Sequence, residues 1–224
     1  MQTPFVDSFQ HTAIQGEHHT MNTFIRPALL GLAVVLLSSC SYKVGFDASY
    51  LPPAVVAGKH AGKVLVLMSP QEQEWIYEGN PTSFTGGGTT LTAPLGNITK
   101  QVAIEVFSRH FDTVDTAEAL PEDGQYIIVA NPRIRHFEYA YNQLKNLGFA
   151  ITPQIKVELD VTLFDNKNNK LMEKTYTSGL QAGESYMISI SPEEKVNQAL
   201  HKALFAQMTL AAQDALMVLS DDKP

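Results

Sequence analysis

From Gln154 to Phe164, apolar Val157, Leu159, Val161 and Leu163 alternate with polar Lys156, Glu158, Asp160 and Thr162. A period of two puts the two sets on opposite faces of a strand, one buried and one wet. The turn-forming run Asp165-Asn166-Lys167-Asn168-Asn169 follows, and Leu171 to Ser178 then has the composition to pair back as a hairpin. A long half-buried antiparallel strand needs a second layer to cover its apolar face, so the rest of the chain must supply one.

Two segments fit that role. Asn97 to Phe111 carries Ile98, Val102, Val106 and His110 at steps of four, broadened by Ala103 and Phe107, with Asn97 placed as an N-cap. Ser191-Pro192-Glu193-Glu194 has the order of a capping box with proline in the first turn. Beyond it Val196, Leu200, Leu204, Met208, Ala211, Ala215 and Leu219 form the stripe of a long amphipathic helix. Lys63 to Ser69 is a continuous apolar run between Gly62 and Pro70 and reads as a strand buried on both faces. Further strands are expected about Thr113-Val114-Asp115, at Tyr126 to Ala130 and at Ile134 to Tyr141, where Phe137, Tyr139 and Tyr141 share a face. Pro132 between the last two implies an edge position or a bulge. The expected fold class is α+β, a mostly antiparallel sheet with two helices packed on one face.

The N-terminal region reads differently. Ala28 to Leu37 is apolar, follows Arg26 and ends in small residues before Cys40. This charged, apolar, small-residue order belongs to a secretory signal, and the run is too short to span a membrane. Met1 to Thr20 is polar and unlike a signal start, whereas Met21 to Arg26 suits one, so residues 1–20 are expected to be an over-extended N-terminus. The domain scheme is then 1–20 extension, 21–39 signal peptide, 40–62 tether and 63–224 a single α+β domain. Leu51-Pro52-Pro53, Gly58 and Gly62 motivate the tether, since the prolines oppose regular pairing and the glycines loosen the chain.

Leu37-Ser38-Ser39-Cys40 resembles the lipobox of bacterial lipoproteins. That resemblance implies that the Cys40 thiol is diacylated and that Cys40 becomes the first mature residue. Cys40 is the single cysteine, so no intramolecular disulfide is open to it. Ser41, where inner-membrane lipoproteins tend to carry aspartate, implies the outer membrane by the same resemblance. With the order of elements, the lipobox is similar to small periplasmic lipoproteins of the YajG, penicillin-binding-protein-activator and transport-auxiliary kinds. Such a resemblance implies a membrane-anchored, periplasm-facing module.

Without its leader the chain keeps a formal charge of −6, against −7 for the whole. An acidic domain lacks the clustered lysine and arginine that phosphate backbones require, so nucleic acid is not an expected partner. Gly86-Gly87-Gly88-Thr89-Thr90 lacks the lysine of a phosphate loop. His60, His110, His136 and His201 are scattered, without metal-ligand spacing, and no G-x-S-x-G elbow is present. No cofactor, metal or catalytic residue is expected, and the chain reads as a non-enzyme.

The remaining signal is the irregular stretch Gln71 to Gly96, with Trp75, Tyr77 and Phe84. A long loop rich in aromatics marks a contact surface, and these three are the expected partner-binding residues. The expected partner is an envelope protein complex or peptidoglycan, with lipid or another apolar ligand of a transporter as the alternative.

Overall fold

The computed structural model describes residues 40–53, 58–84, 88–121, 125–142, 150–187 and 192–221. The extension, the signal segment and the N-cap expected at Ser191 lie outside them. Strand β1 is Cys40–Lys43, followed by a 3-10 turn at Ala48–Tyr50 and strand β2 at His60–Leu67. A one-turn helix α1, Pro70–Gln73, leads to β3 (Tyr77–Gly79) and β4 (Thr89–Ala93). Helix α2, Leu95–His110, precedes β5 (Phe111–Ala117), β6 (Ile128–Asn142), β7 (Ala150–Phe164) and β8 (Lys170–Thr177). The short strands β9 (Gln181–Ala182) and β10 (Tyr186–Met187) precede helix α3, Glu193–Asp221.

The fold is α+β, as the residue patterns require. The larger sheet runs β10-β7-β6-β2-β5, with β8 and β9 also paired along β7. Antiparallel pairs predominate, but β2 lies parallel to both β5 and β6. This mixed centre follows from the apolar run of β2: Val64, Leu65 and Val66 are buried on both faces, as parallel strands commonly are. Helices α2 and α3 touch each other and both cover this sheet, so they form one layer. On β7, Val157, Leu159, Val161 and Leu163 are fully buried beneath that layer. Ala199, Ala203, Ala211, Ala212 and Ala215 on the buried stripe of α3 keep the helix close to the sheet. Asp214 then ties it to β8, accepting from Lys174 Nζ and Tyr176 Oη at 2.6 Å each.

Pro132 sits within β6, a central strand rather than an edge. Strand β6 pairs with β2 only through Ile128–Ala130, and thereafter only β7 is paired with it in the sheet. The proline therefore falls where one hydrogen-bonding edge has just been released. The Asn131 amide donates to the Leu67 carbonyl at 2.7 Å there, and the bulge comes later, between Ile134 and His136.

Three further expectations change. Helix α2 starts at Leu95, not Asn97, with Pro94 at its cap. The stretch Gln71 to Gly96 is not irregular throughout: it holds α1, β3 and β4. The segment 40–62, expected to be a tether, is largely built into the domain. Strand β1 pairs parallel to β4 with Cys40 opposite Thr89, in a second, three-stranded sheet β1-β4-β3. Tyr42, Val44 and Leu51 belong to the hydrophobic core. The prolines stop regular pairing, but they do so after Leu51 is already buried.

His201 of α3 fastens this N-terminal segment. Its Nε2 accepts the Asp47 N–H at 3.0 Å, and its Nδ1 lies 2.9 Å from the Asn197 carbonyl, which fixes the neutral tautomer with the proton on Nδ1. Phe46 and Tyr50 flank the ring, with centroids 5.5 and 5.6 Å away. Burial lowers the imidazole pKa, outweighing the hydrogen bond to Asn197 and the charge of Asp47, which favour protonation. The unfolded chain then binds more protons than the folded one between the lowered value and the ordinary ~6.5, so stability rises with pH across that window. We expect thermal stability to fall on acidification below about pH 6.5 and the fall to be shallower in a His201→Asn variant. An unaltered slope in that variant would remove His201 from this role.

Candidate functional site

The carboxyl end of β2 opens into a cleft. Strand β2 has β5 on one side and β6 on the other, and the chain crosses between them. Clefts beyond the carboxyl ends of such strands are where open sheets place ligands. Here a cleft of about 340 Å³ is lined by Met68, Ser69, Gln71, Glu72, Trp75, Gly96, Thr99, Arg133 and Ile134.

One wall is α1. The Ser69 hydroxyl receives the Glu72 N–H, while Glu72 accepts from the Ser69 N–H at 2.7 Å and from its hydroxyl at 2.9 Å. This reciprocal cap holds a helix too short to persist by itself. Gln73 adds two ties, donating to the Met68 carbonyl at 2.6 Å and accepting from Lys100 Nζ of α2 at 2.7 Å. The Gly96 N–H donates to the Trp75 carbonyl at 3.0 Å. A Cβ at Gly96 would run into the Glu72 and Gln73 carbonyls, so glycine is what lets α1 sit on the first turn of α2. That contact sets the position of Trp75, whose residue surface is 38% exposed.

The opposite wall carries Arg133, on the solvent side of β6. Its guanidinium meets Asp160 at 3.4 Å, and 60% of its side chain is exposed. A loose, exposed pair of this kind contributes little to stability and leaves the cation open to an incoming anion. The Glu72 carboxylate is already engaged in the cap. The cleft therefore offers an indole face, a guanidinium and polar groups, a set suited to a chain carrying a carboxylate beside a flat or apolar group. Among the described residues no group of three or more His, Cys, Asp and Glu side chains is placed to hold a metal ion.

The structure separates the three aromatics expected to act together. Trp75 lines the cleft. Tyr77 is half-buried and packs edge-on against Phe137 at 4.7 Å and Tyr139 at 6.2 Å, which places it in the core boundary. Phe84 is fully exposed and lies away from Trp75, beside the far end of β6, where Ser83 accepts the Tyr141 N–H at 2.8 Å. Arg133 is absent from the sequence expectations, although its place in the alternation Arg133-Ile134-Arg135 marks an outward-facing cation. Cys40 begins β1 through its backbone pairing with β4.

Gly96→Ala should displace α1 and destabilise the domain by roughly 1–3 kcal/mol. Chemical denaturation checks the loss, and the Trp75 emission maximum should shift with it. Wild-type stability in Gly96→Ala would mean that α1 does not depend on this close approach.

No family model matches the chain, and no curated protein matches it. Solved structures do. A Xanthomonas campestris protein of family DUF330 is 16% identical, with a TM-score of 0.50 over 81% of this chain and 97% of that one. A Caulobacter crescentus protein described as a lipoprotein is 11% identical, with a TM-score of 0.32 over 58% of this chain and 85% of that one. A minor lipoprotein of Acinetobacter baumannii is 13% identical, with a TM-score of 0.31 over 76% of this chain and 96% of that one. The first of these shares the fold.

Proposed function

We propose that this chain is a lipoprotein of the bacterial cell envelope, anchored in the outer membrane through Cys40 and facing the periplasm. It works there as a non-enzymatic binding module, its Trp75–Arg133 cleft engaging an envelope protein complex or peptidoglycan. The observation that carries this reading is a coincidence of boundaries. The compact unit of the fold spans Cys40–Pro224, and the lipobox resemblance implies cleavage at the bond before Cys40. The cleft supports the binding role, because its guanidinium and indole suit the carboxylates of stem peptides or of an acidic protein segment. Its lining sets Ser69, Glu72, Thr99 and Arg133 beside Met68, Trp75 and Ile134, a mixture that suits a polar chain better than a wholly apolar lipid ligand.

Cys40→Ser should abolish labelling by palmitate while leaving the domain folded, because serine replaces the thiol with little change in volume. A photo-crosslinking residue at position 75 should capture a defined envelope protein or wall fragment, and Arg133→Glu should reduce the yield. Palmitate incorporation at wild-type level in Cys40→Ser would sink the anchor. Capture of nothing at position 75, with turnover on a hydrolase panel, would sink the binding role.

A further inference from the structure

Tyr141, near the end of β6, stands where three separate parts of the chain meet. Its hydroxyl hydrogen-bonds that of Tyr42 in β1, its N–H donates to Ser83, and across β7, where it pairs with Pro153, lies Tyr186 of β10, paired with Ile151. Each of those residues has a neighbour of another kind. Cys40 is two residues before Tyr42, Phe84 directly follows Ser83, and Met187 directly follows Tyr186. Phe84 is fully exposed and Met187 is 62% exposed. Further bonds hold this end together: the Asn80 amide donates to the Thr89 carbonyl at 2.9 Å, and Thr89 pairs with Cys40. Met187 pairs with Ala150 at the start of β7, beyond the Asn142–Thr152 pair. The Trp75 cleft lies toward the opposite end of β6, by Arg133 and Ile134.

We infer that the end of the domain bearing Cys40, Phe84 and Met187 is a membrane-contact surface, with the Phe84 ring seated in the headgroup boundary of the bilayer that holds the Cys40 lipid. This rests on the anchored-lipoprotein reading above. The commitment to a bilayer comes from chain length. A free tether over residues 41–62 would reach about 75 Å and leave the orientation of the domain open. Because β1 begins at Cys40 and Tyr42 is buried, no such slack exists, and acyl chains on Cys40 must enter lipid beside whatever surrounds that strand end. The same end of the domain carries two exposed apolar side chains, and exposed Phe and Met at the end that bears an acyl anchor are the composition of an interfacial contact. The same geometry turns the Trp75 cleft away from the membrane, toward the periplasmic space.

The test uses the full chain, processed in a Gram-negative host, purified and reconstituted into phosphatidylethanolamine–phosphatidylglycerol vesicles with or without brominated phosphatidylcholine. Intact mass reports whether Cys40 carries acyl chains. Wild-type protein has Trp75 as its single tryptophan and serves as the control. The double variant Trp75→Phe, Phe84→Trp moves the indole to the proposed surface, and circular dichroism checks that it folds. We expect emission from position 84 to be blue-shifted and roughly halved by the brominated lipid, and emission from Trp75 to be unchanged. Acylated protein with an unquenched Trp at position 84, blue-shifted or not, would overturn the inference and leave the lipoprotein reading standing. Protein without acyl chains would overturn both.

Discussion

The buried contact between the Tyr42 and Tyr141 hydroxyls couples the first strand of the domain to its longest hairpin. A phenol hydroxyl withdrawn from water needs a partner, and these two supply one for each other. Burial is the largest influence on both groups and pushes their pKa values well above the ordinary phenol range, so the pair stays protonated and able to donate. Tyr139 extends the cluster by donating to the Gly79 carbonyl at 3.0 Å, and Tyr77 and Phe137 pack beside it. Two sheets that share no strand are thereby joined through side chains. The small sheet holds the N-terminal segment, and the large one carries the cleft.

The cleft depends on a similar economy of parts. The one-turn helix α1 persists because it is capped at Ser69, tied through Gln73 to Met68 and Lys100, and seated on the bare Cα of Gly96. Trp75 inherits its position from that seat. Arg133 faces solvent by the strand's alternation, and it stands just beyond Ala130, where the pairing of β6 with β2 ends. The cleft is thus preorganised by the same irregularities that interrupt the sheet.

Sequence alone disclosed the long regular elements well. The alternation in β7 and the apolar stripe of α3 persist over enough residues for period to separate strand from helix. The N-terminal segment was harder because its aromatics allow two readings. Tyr42, Phe46 and Tyr50 step by four, as in a helix, whereas Tyr42 and Val44 alternate with Ser41 and Lys43, as in a strand. The second pattern is the one that forms, since a partner strand was available in Thr89–Ala93. Helix α1 and β3 have four and three residues, too few for any periodicity to register. Trp75 could be singled out from its type, but its sharing a cleft with Arg133 depends on a tertiary arrangement that no local pattern encodes. Tyr77 shows the converse: an aromatic in a loop-like stretch can equally be a core residue.

Strand β1 pairs with β4 from Cys40 onward, which leaves no slack between the proposed anchor and the domain. The Val44 amide reports on it directly, since it donates to the Thr92 carbonyl at 3.0 Å immediately after β1. Hydrogen exchange should find that amide protected to the same order as those of β7, because it opens only with the domain. Exchange of the Val44 amide at the rate of an unstructured chain, while the β7 amides stay protected, would restore the tether and detach the N-terminal strand from the domain.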